Sequence, residues 1–209
     1  MLKIENFIRI LSAMYMTQDN ETRRVATMEV LKAEDQMNSD EMLQIGMGLL
    51  RVSDHGAAVQ AYGAVLLRHA VASGCLAAEK VPCGDIMMWY LNEPSLGRLL
   101  CGDLVDLITE CMIYEWPERY THLMEELCPT QAQLSKQPRK LRLLCALVVR
   151  FMDPHFGNVP VSRMKKLKST LSSYSRVILA EVIQALFDLY TAAGGEGAIS
   201  LPKMLLSSL

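Results

Sequence analysis

Apolar residues along this chain return every three or four positions and almost never every two. Val59, Tyr62, Gly63, Leu66, Leu67 and Ala70 form one such stripe, and Leu104, Leu107, Ile108, Cys111 and Met112 form another. Tyr120, Leu123, Met124 and Leu127 make a third, and Leu141, Leu144, Cys145, Val148, Val149 and Met152 a fourth. That period sets each group on one face of an α-helix, and each face needs a neighbouring helix to cover it. A last stripe, Leu171, Tyr174, Ile178, Leu179, Val182, Ile183, Leu186 and Tyr190, predicts one long helix over about 162–193.

Between the stripes stand short polar breaks. Thr17-Gln18-Asp19-Asn20 ends the first helix, and Asp19 or Asn20 can cap the second. Asn38 followed by Glu41 has the spacing of a capping box, and Ser53-Asp54 offers a further N-cap. Gly74, Pro82, Pro94, Pro129, Pro138, Pro154 and Pro160 punctuate the rest. The pattern predicts about nine or ten helices in hairpins that start near residues 4, 39, 80, 117 and 160. Those starts are roughly 35 to 43 residues apart, the spacing of HEAT-type repeats. The expected fold is therefore all-α: a HEAT-repeat α-solenoid of about five helical hairpins forming one domain over residues 1–209. A plain helical bundle fits the same hydrophobic pattern.

Composition agrees with helix. Of 209 residues, 51% are hydrophobic and only 6% aromatic, and methionine is abundant at 14. Lys3, Glu5 and Arg9 interrupt any apolar leader in MLKIENFIRIL, and the run from Leu143 to Val149 is too short to span a bilayer, so a soluble, intracellular chain with no membrane partner is expected. The six cysteines, at 75, 83, 101, 111, 128 and 145, contain no C-x-x-C pair and fall largely on apolar stripes. They read as reduced, buried thiols.

Charge changes the picture more. The net charge of −2 hides a division: residues 1–126 carry 10 Lys/Arg against 19 Asp/Glu, and residues 127–209 carry 11 against 4. An acidic part and a basic part suggest two kinds of partner surface.

One junction is abrupt. In CMIYEWPERYTHLMEEL, residues 111–127, two helical patterns meet at Trp116-Pro117 without a spacer. Proline has a fixed φ and no N–H, so it suits the first turn of a helix. Pro117 is expected to start a helix, with Glu115 and Trp116 as the corner and Glu118 favourable in its first turn.

This Glu-Trp-Pro corner, running into an E-x-x-x-x-L-M-E-E-L segment, resembles the importin-β/exportin (karyopherin) superfamily. MYMTQDNETRRVATMEVLKAEDQ is similar to that family's first repeat, with Arg24, Thr27 and Leu31 on comparable ground, and AVQAYGAVLLRHAV to the inner helix of its second. The loop, the Glu-Trp-Pro corner and the later R-x-x-K-L-x-x-x-L-S helix, taken in order, resemble the exportin-5 branch of the superfamily. Tyr114 stands where the branch carries a basic residue before the corner, and Tyr120-Thr121 replaces its second aromatic-proline step. The resemblance implies a non-enzymatic HEAT solenoid that shuttles between nucleus and cytoplasm. It also implies a chain that binds Ran GTPase in its GTP form, meets nuclear pore proteins and contributes to nuclear export of double-stranded RNA such as pre-microRNA.

Under that resemblance, the Ran-binding candidates are Gln60 and Arg68 on one inner helix and Asp103, Asp106 and Glu110 on the next. The sequence places these five, with Ala64, opposite the apolar stripes, where an acidic face would attract a basic partner. The RNA-binding candidates form two clusters: Lys136, Arg139, Lys140 and Arg142, then Arg163, Lys165, Lys166 and Lys168. Cations of this kind neutralise phosphates without reading sequence. Each group reads equally as a solvated helix face. The four histidines show no metal-ligand spacing, and no G-x-S-x-G, phosphate-loop or dinucleotide motif occurs. Gly194-Gly195-Glu196-Gly197 lacks a following Lys-Ser/Thr and reads as a helix terminator. No cofactor or enzymatic reaction is expected. The alternative to transport is a helical scaffold in an RNA-processing or other complex.

Overall fold

The computed structural model describes residues 4–52, 56–128, 137–153 and 159–192. Within them the chain is all-helical, with eleven helical segments and no strand. It divides into two compact units, Met1–Glu115 and Trp116–Leu209.

In the first unit, α1 (Ile4–Met16) and α2 (Asn20–Gln36) form a hairpin, followed by α3 (Ser39–Arg51) and α4 (Ala57–Ala72). The ends follow the local chemistry. Asp19 caps α2, accepting from Thr22 N at 2.9 Å and from Glu21 N at 3.4 Å. Asn38 and Glu41 form the reciprocal capping box of α3, at 2.9 and 3.1 Å. At the start of α4 the N-cap position is Gly56, at φ 88, a value that glycine adopts without steric cost. Ser53-Asp54 lies outside the described residues.

The core of these four helices joins Phe7, Ile8 and Leu11 of α1 to Ala26 and Val30 of α2, Ile45 and Leu49 of α3, and Val59, Tyr62 and Leu66 of α4. The α3–α4 crossing is tighter than side chains would allow. A Cβ on Gly63 would lie 2.8 Å from both Gly46 O and Leu50 N, and one on Gly46 would lie 3.0 Å from Gly63 O. The two glycines let backbone approach backbone.

The short α5 (Cys75–Ala78) leads to α6 (Cys83–Asn92) and α7 (Arg98–Glu115), which packs on both α4 and α6. The expected stripe on α7 is buried as read. Beyond Ile108, however, every residue but the half-buried Tyr114 is buried: Thr109, Glu110, Cys111, Met112, Ile113 and Glu115.

The second unit contains α8 (Leu123–Leu127), α9 (Pro138–Met152), α10 (Val161–Ser173) and α11 (Ser175–Ala192). Three expectations change here. Pro117 does not start a helix: residues 116–119 form a turn, the Trp116-Pro117 peptide is cis, and helix resumes only at Leu123. The polar groups of this turn are held by α10 instead, through Arg163 on Trp116 O and through Arg163 and Lys166 on Glu118.

The buried face of α9 is rotated from its expected stripe. Leu143, Leu144, Leu147 and Phe151 are buried, while Val149 and Met152 are exposed. The helix is apolar on more than one side, and the stacking of Phe151 on Trp116 accompanies the rotation it adopts.

The long helix expected over 162–193 is two helices, divided at Tyr174. The break coincides with a serine run whose hydroxyls turn back on the main chain. Ser172 Oγ donates to Lys168 O at 2.8 Å, Ser173 Oγ to Thr170 O at 2.6 Å and Ser175 Oγ to Ser172 O at 2.8 Å. Serine competes with helix hydrogen bonding in this way.

Candidate functional site

On the first unit, the polar surface carried by α4 and α7 holds three of the five acidic-face candidates together. Arg68 Nη1 donates to Asp106 Oδ2 at 2.8 Å, linking the two helices. Asp103 stands one turn before Asp106 and is half-buried. Partial burial raises its pKa above the ordinary aspartate value, the Asp106 charge raises it further, and Arg68 opposes both.

The other two candidates separate from this group. Gln60 turns toward α3, where its Nε2 donates to Leu50 O at 3.2 Å. Its amide thus satisfies a carbonyl in the last turn of α3, which has no partner within that helix. Glu110 is not part of an exposed stripe: it is 8% exposed, in the largely buried last part of α7. Ala64, expected beside Gln60 and Arg68, is fully buried. The i, i+3, i+7 spacing correctly lines the three acids on one side of α7 but carries no information on how far along the helix that side stays open.

The sequence reading missed three residues beside this group. Tyr15, in the last turn of α1, has its pKa raised by burial and by the charges of Asp103 and Glu34. Tyr62 donates its hydroxyl to Glu34 Oε1, tying α4 to α2, and its ring lies 5.9 Å from that of Phe7. Burial and the bond to Glu34 raise the Tyr62 pKa far above the ordinary tyrosine value. An aromatic stripe member whose hydroxyl reaches a distant carboxylate leaves no trace in local spacing. The surface therefore offers Asp103 and Asp106 carboxylates, with Tyr15 nearby, as acceptors for a cationic partner group.

On the second unit, Trp116 is fully buried and stacks on Phe151, with ring centroids 5.4 Å apart and planes 9° from parallel. The Tyr174 ring also approaches Trp116, tilted by 52° with centroids 6.4 Å apart. Trp116 Nε1 finds no acceptor among the described residues. Glu115 is buried at the end of α7, and Pro117 is half-buried in the turn. The corner is thus part of a core.

The basic candidates divide by occupation. Arg163 is largely buried and donates to Glu118 Oε2 and to Trp116 O, each at 2.5 Å. Lys166 pairs with the other oxygen of Glu118. Partial burial pushes the Glu118 pKa up, but the bonds from Arg163 and Lys166 outweigh it and hold the carboxyl at about 2. These two cations hold the turn through one shared carboxylate, and Lys166 remains exposed.

Arg142 and Lys165 are exposed, Lys168 and Arg139 are half-exposed, and Lys140 is close enough to Cys128 to influence its thiol. Lys136 lies outside the described residues. Arg163 and Phe151 both meet Trp116, and Arg142 lies nine residues before Phe151, about 14 Å along α9.

Among the described residues, no group of three or more His, Cys, Asp or Glu is placed to hold a metal, and no helix is long and apolar enough to cross a membrane. Comparison with protein-family models, with curated proteins and with solved structures found no match.

Proposed function

We propose that this chain acts as an exportin-type nuclear transport module of HEAT-repeat architecture, most similar to the exportin-5 branch. In this reading it shuttles between nucleus and cytoplasm, its first unit binds Ran in the GTP form, and its second unit contributes to export of double-stranded RNA such as pre-microRNA. The observation that carries the reading is the corner at Glu115-Trp116-Pro117. Of the letters most specific to the resemblance, Glu115 and Trp116 are buried, with Trp116 packed on Phe151 and held through its carbonyl by Arg163. Helices beginning at Ile4, Ser39 and Cys83, 35 and 44 residues apart, support the same reading.

The Ran-facing surface is reduced to Arg68, Asp103 and Asp106, with Tyr15 added. The phosphate-facing surface is reduced to Arg142, Lys165 and Lys168, with Arg139 and Lys140 at its edge. The test is binding of the purified chain to Ran loaded with a non-hydrolysable GTP analogue, beside the GDP form. A preference for the GTP form supports the transport reading, and equal or absent binding rejects it.

The second reading is a helical scaffold without Ran affinity. The internal use of Arg68, Arg163 and Lys166 favours it, because each of these cations already holds a carboxylate of the same unit. Insensitivity to the nucleotide on Ran is the result it expects.

A further inference from the structure

Two of the six cysteines meet where α6 packs on α7. Cys83 is the first residue of α6, and Cys111 lies in the last part of α7, 28 positions further along the chain. Both side chains are fully buried. Cys83 Sγ donates to Ile108 O at 3.9 Å. In an α-helix a carbonyl points toward the following turn, and the Cβ three residues on tilts back toward it. On α7 that following residue is Cys111, and the Cys83 and Cys111 thiols are accordingly hydrogen-bonded to each other.

The nearest thiol on the same helix does not compete. Cys101 stands ten residues before Cys111, about 15 Å along α7, and its Sγ turns to Leu96 O at 3.6 Å. The surroundings keep the pair reduced while α6 is seated. The bond to Cys111, burial, and the charges of Cys111 and Glu115 raise the Cys83 pKa well above the ordinary thiol value, so the thiolate that exchange requires is scarce. The weak point of this enclosure is the start of α6. Its N-cap position is Pro82, which gives no side-chain hydrogen bond to the first turn, and the helix is only 10 residues long. Such an end opens locally at a lower cost than the whole unit, and opening exposes Cys83 first.

We propose that Cys83 and Cys111 are a redox pair, closed to a disulfide by a low-molecular-weight disulfide and then locking α6 to α7. The thiolate of one cysteine attacks the oxidant and releases its first thiol. The second cysteine attacks the mixed disulfide and releases the other, so two S–H bonds are lost, one S–S bond forms, and the two electrons leave as two reduced thiols. Sulfurs already in contact reach bonding geometry through small side-chain rotations. In a reducing environment the pair rests as thiols, and the link forms only under oxidising conditions, as in redox-sensing proteins.

The test is incubation of the purified full chain with oxidised glutathione, alkylation of the remaining thiols, and peptide mass mapping without reduction. An intrachain 83–111 link is expected, with a thermal midpoint of the first unit higher by about 5 °C or more that returns to its starting value with dithiothreitol. Cys101→Ala should keep both the link and the rise, and Cys111→Ala should lose both. Recovery of Cys83 and Cys111 as alkylated thiols after prolonged oxidation would overturn the proposal, as would a link from either of them to Cys101. A link found only between chains, in a mixture of isotope-labelled and unlabelled protein, would overturn it too.

Discussion

Trp116 lies flat against Phe151, the two rings 9° from parallel with their centroids 5.4 Å apart, and both side chains are fully buried. This pair joins the turn after α7 to the last turn of α9 and is the aromatic anchor of the second unit. Trp116→Ala should destabilise that unit by about 3–5 kcal/mol, the usual range for emptying a buried large aromatic site. Trp116→Phe should cost less, because it also removes a buried N–H with no acceptor among the described residues. Urea denaturation followed by circular dichroism measures both, and a cycle with Phe151→Leu isolates the coupling of the rings, of order 0.5–1.5 kcal/mol.

Gly63→Ala should be destabilising by about 1–3 kcal/mol even though alanine is the better helix former. The added methyl would meet Gly46 O and Leu50 N at 2.8 Å, and a main chain cannot step aside as a side-chain end can. Gly97→Ala is the control. Its Cβ would lie 3.7 Å from Ala57 Cβ, an ordinary contact, so its thermal midpoint should stay within a degree or two of the parent.

Acid should loosen the turn at Glu118. Its folded pKa is about 2, below the ordinary glutamate value of 4.5. A carboxyl depressed in this way contributes stability that is fully present above the unfolded value. That contribution is lost as pH falls from about 4.5 through about 2. Glu118→Gln should therefore flatten the stability–pH curve of the second unit across that window while leaving its slope near neutrality unchanged. An unaltered acid limb would detach Glu118 from Arg163 and Lys166.

The two acids one turn apart on α7 should respond differently to substitution. Asp106→Lys acts at an exposed carboxylate and should lower affinity for the GTP form of Ran about tenfold, mainly through the association rate, with little loss of stability. Glu110→Lys acts in the buried stretch and should unfold or strongly destabilise the first unit before binding can be assayed. Thermal melts recorded beside surface-binding kinetics separate the two effects.

For RNA, the triple change of Arg142, Lys165 and Lys168 to Ala should reduce the slope of log affinity against log salt for a hairpin duplex by about 2 to 3. Arg163→Ala should instead lower the stability of the second unit, because it releases Glu118 and Trp116 O together. Titrations at several salt concentrations, with a denaturation curve for each variant, decide between these roles.

Much of this arrangement is legible in the residues themselves. The helix starts at Ile4, Ser39 and Val161 and the caps at Asp19 and Asn38 depend on chemistry within a few positions. The apolar stripes expected on α4 and α7 are buried as spaced. What escapes local reading is set by distant partners. The rotation of α9 goes with Trp116, the burial of Glu110 depends on neighbours that no periodicity names, and Arg163 and Lys166 are claimed by a glutamate more than forty residues earlier. Tyr15, Glu34 and Tyr62 converge from three helices and leave no motif. The break at Tyr174 was written in the serine run, yet apolar spacing alone carries across it.

The meeting of Gly46 and Gly63 also has a mechanical consequence. Where helices touch through long side chains, rotamer changes let them slide by fractions of an ångström. Where main chain rests on main chain, nothing is available to yield. The α3–α4 hairpin should move as a single stiff beam, and any bending of the first unit in response to a load must be taken up at joints lined by side chains, between α1 and α2 and between α6 and α7.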